Sequence, residues 1–169
     1  MTVTPVDPAT HLKVIDDKHN RIKEALDERH LPFALLLLDE VGPLLKDEGT
    51  SHWGGAELHD LVDRTATYEM LRGRYRLIQK DMSGAIESHQ KASSTIAHQN
   101  TSNTAQIRVV NAFHSLRAQA AAGAPIEKRS ELYLQLTGLT ALERFRAWML
   151  TYFGRIGYKF DERFFARSL

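Results

Sequence analysis

Leu58, Leu61, Val62, Thr65, Tyr68, Leu71, Tyr75 and Ile78 recur at spacings of mostly three and four residues. That period marks one face of an α-helix, whereas strand side chains change face at every residue. The spacing predicts a long helix over 56–79. The remainder offers no alternating run rich in β-branched residues and no Asn-Gly or Asp-Gly hairpin signal. The expected fold class is all-α, with seven to eight helices in antiparallel hairpins.

The other helices follow from their punctuation. Asp7-Pro8 pairs an N-cap residue with proline at the first helical position, opening a helix that runs to about Arg29. Leu31-Pro32 restarts the chain, and a short apolar helix is expected over 33–41, interrupted by Gly42-Pro43. The stretch 49–55 reads as a loop. Lys80-Asp81 makes a turn, and a helix is expected over 83–97. After polar residues 99–104 another helix reaches Ala122, closed by Gly123. Pro125 opens the next helix, which Gly138 is expected to end. Thr140 and Glu143 form a capping box, and the helix it starts carries Leu142, Phe145, Trp148, Met149, Tyr152, Phe153 and Ile156. The tail 158–169 is expected to add a turn or two.

A chain of 169 residues is expected to form a single helical domain, 1–169. Its hydrophobic content of 43% and charged content of 25% belong to a globular protein. A net charge of +1 supplies no global attraction to nucleic acid or anionic lipid. The absence of cysteine excludes disulfides, thiolate metal sites and a cysteine nucleophile. Residues 1–10 lack a basic start followed by an apolar run, and the longest apolar stretch, 33–38, is too short to cross a bilayer. A cytoplasmic location, no membrane, no cofactor and no metal are the resulting expectations.

The segment 68–97 reads as two antiparallel helices joined at Lys80-Asp81. Ala85 and Ala92 stand two turns apart on one face, where small side chains admit a neighbouring helix. Asp81 at the turn, Ala85-Ile86-Glu87 and Gln90-Lys91-Ala92 resemble the second helix of a tetratricopeptide repeat, with Gly73 at the remaining small position. The likeness covers 66–97. It implies a helical-repeat scaffold that binds a protein or peptide in the groove lined by first helices, here Thr67, Met70 and Arg74 with Arg72 and Arg76 beside them. Three arginines in five residues could hold a carboxylate or an acidic peptide; the plainer reading is a solvated helix face with Glu69 beside Arg72.

Four further likenesses supply the alternative function, a helical phosphotransfer, phosphohydrolase or ribonuclease protein. Glu57-Leu58-His59-Asp60-Leu61 resembles the phosphoacceptor box of a histidine-kinase subfamily, and His59-Asp60 resembles the centre of an HD-type phosphohydrolase. His114-Ser-Leu-Arg117 resembles a histidine phosphotransfer domain, while Arg108 with His114 is similar to the arginine–histidine pair of HEPN-type ribonucleases. Each implies chemistry at the named histidine. Against each stands an ordinary exposed or groove-edge histidine. Paired Glu-x-x-His motifs, phosphate loops and dinucleotide fingerprints are absent from the sequence.

Eight of the 14 aromatic residues lie between Phe145 and Phe165, interleaved with arginine and lysine. Phe160, Phe164 and Phe165 with Tyr158 carry more aromatic area than a free terminus tolerates. The tail is therefore expected to dock on its own domain or, with Trp148 and Tyr152, to form an interface with a partner or second copy; nucleic acid ranks last. The leading expectation is a protein-interaction module rather than an enzyme.

Overall fold

The computed structural model describes residues 6–165. The expectation about residues 1–10 therefore lies partly, and that about 166–169 wholly, outside the described residues. Within them the chain is all-α: α1 (Pro8–Asp27), α2 (Leu31–Leu44), α3 (Gly55–Ile78), α4 (Met82–Thr95), α5 (Ser102–Ala122), α6 (Ile126–Tyr133) and α7 (Ala141–Phe165), with a 3-10 turn at Glu48–Thr50.

Side chains that satisfy free backbone N–H groups start four of these helices. Asp7 accepts from Thr10 N at 2.8 Å, Asp81 from Gly84 N at 2.9 Å and Thr101 from Thr104 N at 3.1 Å. The Thr140–Glu143 box closes in both directions, at 2.7 and 3.2 Å.

Three boundaries differ from the sequence reading. Gly42-Pro43 does not interrupt α2, which continues to Leu44. Proline lacks the N–H that would bond the carbonyl four residues before it and crowds that preceding turn, a local cost that α2 carries at Pro43 without breaking. Second, α6 ends at Tyr133 rather than Gly138. Third, the tail is no short appendage. Residues 155–165 are fully helical and fold back on 141–153 at Gly154, whose φ of 52° and ψ of −124° lie outside the helical region.

The hairpins α1–α2, α3–α4 and α5–α6 share one turn. A residue with positive φ, namely Arg29 (63°), Lys80 (65°) or Gly123 (71°), closes the first helix of each. The following N–H then reaches back five residues: His30 to Ala25 O at 2.8 Å, Asp81 to Arg76 O at 2.9 Å and Ala124 to Gln119 O at 3.0 Å. This left-handed cap satisfies orphan carbonyls and reverses the chain.

The hairpins stack in order. α1 lies beside α3, α3 beside α5 and α5 beside α7, while α2, α4 and α6 each pack between two members of that row. Apolar burial is distributed along the stack. Ile15, Ile22, Leu26, Leu37, Val41 and Leu71 fill the first interface. Ala66, Met70, Ala92 and Ile96 join α3 to α4, and Phe113, Leu116, Ala147 and Leu150 join α5 to α7.

Between α3 and α4 the close approach depends on Gly73. A Cβ there would stand 2.7–3.0 Å from the His89 ring, which is itself fully buried. Gly73→Ala is expected to lower stability by about 2 kcal/mol through overpacking. In a His89→Ala background the same change should be neutral, or gain up to ~1 kcal/mol from helix propensity. Urea denaturation of the four proteins in this cycle measures the coupling; equal effects in both backgrounds would show that His89 does not set the spacing.

Candidate interaction surfaces

The fold-back of α7 brings charged groups into the interior. Asp161, at 0% exposure, lies between two guanidinium groups. Arg146, on the first arm of α7, donates from Nε to its Oδ1 at 2.6 Å and from Nη2 to its Oδ2 at 3.2 Å. Arg117 of α5 donates from Nε to Oδ2 at 2.9 Å and from Nη2 to Glu162 at 2.6 Å. Glu162 also pairs with Arg29 from the first hairpin turn. Deeper in the same slot, Arg74 of α3 donates to Asp27 Oδ1 at 2.7 Å. Arg146 stacks over Phe113 at 5.1 Å and Arg117 over Tyr158 at 5.8 Å, so both cations use ring faces as well as carboxylates.

Two neutral histidines lie beside this network. His89 Nδ1 donates to Asn111 Oδ1 at 2.9 Å, because the Asn111 amide nitrogen is committed to His89 O and Ser93 Oγ, each at 3.0 Å. That leaves His89 Nε2 without a partner, facing Gly73. His114 stacks on His89 with ring centroids 6.3 Å apart, and its Nδ1 is buried and unpartnered. Burial first, and then Arg74 and Arg117, hold His114 well below the ordinary imidazole range. Burial is likewise the main cause that lowers His89 to about 4. His19, buried between α1 and its neighbours, is lowered to about 4 by burial against an opposing Asp16.

The opposite face of α7 is apolar and open. Trp148 packs against Phe153 at 5.3 Å, Tyr152 at 6.1 Å and Phe145 at 6.3 Å. Phe160 and Phe164 continue the surface at 4.6 Å from each other. Ile156 is 74% exposed and Trp148 43%. Phe145, Trp148, Met149, Phe153, Ile156 and Phe160 line a shallow groove of about 280 Å3.

The residues singled out from sequence are placed as follows. His59 and Asp60 are both exposed near the start of α3, and no group of three or more His, Asp or Glu suited to a metal occurs among the described residues. Arg108 donates to Ile96 O at 2.7 Å and also to Gln99 O, tying down the end of α4, whereas His114 lies in the interior. Met70 is buried against Ala66 and Ile96, and the Thr67 hydroxyl donates to Asp63 O at 3.0 Å. Arg74 does not share a face with Arg72 and Arg76, since a spacing of two residues carries a helical side chain about 200° round the axis. Arg74 is buried on Asp27, Arg76 donates to Gly84 O at 2.9 Å across the α3–α4 hairpin, and Arg72 lies 3.9 Å from Glu69. Trp148, Tyr152, Phe160 and Phe164 are exposed, and Tyr158 and Phe165 are half-buried.

Arg117, Arg146, Asp161, Glu162 and Asp27 were not legible as a network. One trace was present: Asp161 and Glu162 are the only acidic residues after Glu143. Comparison with protein-family models, curated proteins and solved structures finds no significant match to this chain. No helix among the described residues is long and apolar enough to cross a membrane.

Asp161→Asn would leave two buried guanidinium groups short of charge and is expected to cost about 3–5 kcal/mol, read by urea denaturation; a loss under 1 kcal/mol would remove the pair from the stability account. The histidines give a pH dependence of defined sign. Their folded pKa values lie below the unfolded value near 6.5, so the unfolded chain binds more protons between pH 6.5 and about 4. Stability should be flat above pH 7 and fall as the pH drops through that window, by roughly 3 kcal/mol for each of His19 and His89 at pH 4. Melting curves at pH 8, 6 and 5 test this; a melting temperature that rises on acidification would contradict it.

Proposed function

We propose that this chain is a protein-interaction module of the helical-repeat kind, without catalytic machinery of its own, and that it docks partners on the outer face of α7. The observation that carries the reading is the continuous aromatic surface from Phe145 to Phe164. Leu142, Phe145, Trp148, Tyr152, Phe153, Ile156, Phe160 and Phe164 are exposed by 41% to 74%. Side chains of this size carry about 200 Å2 each, so this face offers roughly 800 Å2, one partner's share of a standard protein interface. Apolar patches of that extent mark interaction sites, and tryptophan, tyrosine and phenylalanine are the side chains that dominate such interfaces.

The stacking order supports the same reading. Each odd-numbered helix is covered by the next, and α7 ends the row with its outer face uncovered. A further helical surface, from another protein or from a second copy, fits that position as α7 fits against α5. The tetratricopeptide-like hairpin 66–97 is consistent with this, since Gly73, Ala85 and Ala92 are buried at the α3–α4 contact. The alternative chemistry at His59-Asp60 or Arg108 and His114 draws no comparable support.

The test is binding by full-length variants. Trp148→Glu combined with Phe153→Glu, both at exposed positions, is expected to abolish self-association in light scattering and capture of any co-purifying protein, with an unchanged circular dichroism spectrum. His59→Ala with Asp60→Ala should leave both intact. The reverse pattern would overturn the reading in favour of chemistry at α3.

A further inference from the structure

The arm 155–165 is held to the stack mainly by charge. Of its side chains Tyr158 joins the apolar clusters of the described core, and Phe165 lies under the Arg146 guanidinium at 5.6 Å. Ile156, Phe160 and Phe164 point outward, while Asp161 and Glu162 point into the slot lined by Arg29, Arg117 and Arg146, with Arg74 beneath. The fit is tight. Leu26, Arg29, Arg74, Arg117, Tyr158 and Glu162 enclose a residual void of only about 10 Å3. Without the arm, Arg29, Arg74 and Arg117 would face one carboxylate among the described residues, Asp27, with the unpartnered Nδ1 of His114 near Arg74 and Arg117. That is a built anion receptor, and its occupant is attached through a non-helical glycine, Gly154.

We propose that this slot is a binding site for an acidic peptide, an Asp-Glu or similar pair flanked by aromatic residues, and that the arm 155–165 is its intramolecular occupant. Ligand chemistry is defined by the arm itself. An acid pair supplies charge-assisted, partly bidentate hydrogen bonds to Arg117, Arg146 and Arg29. An aromatic residue three positions before the acid lies under the Arg117 guanidinium as Tyr158 does. Two sources share that chemistry: an acidic segment of a different protein, and the arm of a second copy, exchanged about Gly154. In either case the free chain is closed, and the incoming peptide competes against a tethered arm at high effective concentration.

The probe is a fluorescent synthetic peptide of residues 155–165, titrated into the full-length protein and into Glu162→Gln, which weakens the arm at a half-exposed position. The peptide is expected to bind Glu162→Gln about tenfold more tightly than the parent. It should bind less well as salt rises, and a peptide with both acids neutralised to Asn and Gln should not bind. On the parent, saturating peptide should increase hydrogen exchange of 155–165 while α3 and α5 stay protected. Should the full-length protein be dimeric and the peptide release monomers, the second copy is the natural source; a monomer throughout assigns the site to another protein. The Trp148→Glu/Phe153→Glu protein should bind the peptide as its parent does, which separates this site from the aromatic face. No peptide binding to Glu162→Gln, or binding equal for the charged and neutralised peptides, would overturn the proposal. So would an arm as protected as α5 in both proteins and unmoved by peptide.

Discussion

The arrangement of the C-terminal half depends on Asp161. A buried guanidinium is tolerated only where a carboxylate and hydrogen-bond acceptors replace its water. Arg117 and Arg146 lie on separate helices, and Asp161 serves both. In a straight helix residues 146 and 161 would be about 22 Å apart, so the contact requires α7 to reverse. Gly154 supplies the reversal, and Gly157 permits it, because any side chain there would strike the Met149 backbone. The two glycines and the acid are one device.

That device also determines what remains outside. With Asp161 turned inward, Phe160 and Phe164 are carried to the outer surface alongside Phe145, Trp148 and Phe153. A single fold-back thus yields two surfaces of opposite character: a cationic slot filled from within and an aromatic face left open. The first resists water only through exact charge pairing; the second favours association because exposed aromatic area is costly in water.

Upstream, regularity comes from the hairpin turn. Three positive-φ residues close the first helices of the hairpins, which places α1, α3, α5 and α7 in a row. Arg29 links the two halves, since its side chain reaches Glu162 from inside the first of those turns. Close contact within the α3–α4 hairpin relies on small residues, Gly73 against His89 and Ala85 and Ala92 at 0% exposure. The cost is polar atoms left unpartnered in the interior, His89 Nε2 and His114 Nδ1.

What the sequence determined by itself is local. Helical period, the Asp7 cap and the Thr140–Glu143 box are each decided within four residues, so the all-α class and most helix starts could be read directly, whereas the caps that Asp81 and Thr101 make emerged only in the structure. Likewise the crowding of aromatics after Phe145 was visible as excess apolar area needing a cover. Tertiary structure alone decided the rest. That Arg29 and Lys80 would accept left-handed backbone is settled by the hairpins they close, not by residue type. That α2 would run on through Pro43, at the cost of one backbone hydrogen bond, was likewise not written in the local pattern. Arg74 parted from Arg72 and Arg76 because a helix rotates about 100° per residue, while Arg117, Arg146 and Asp161 converged because a glycine reversed the chain. Pairing of charges across 15 to 133 residues is a property of packing, and no local pattern encodes it.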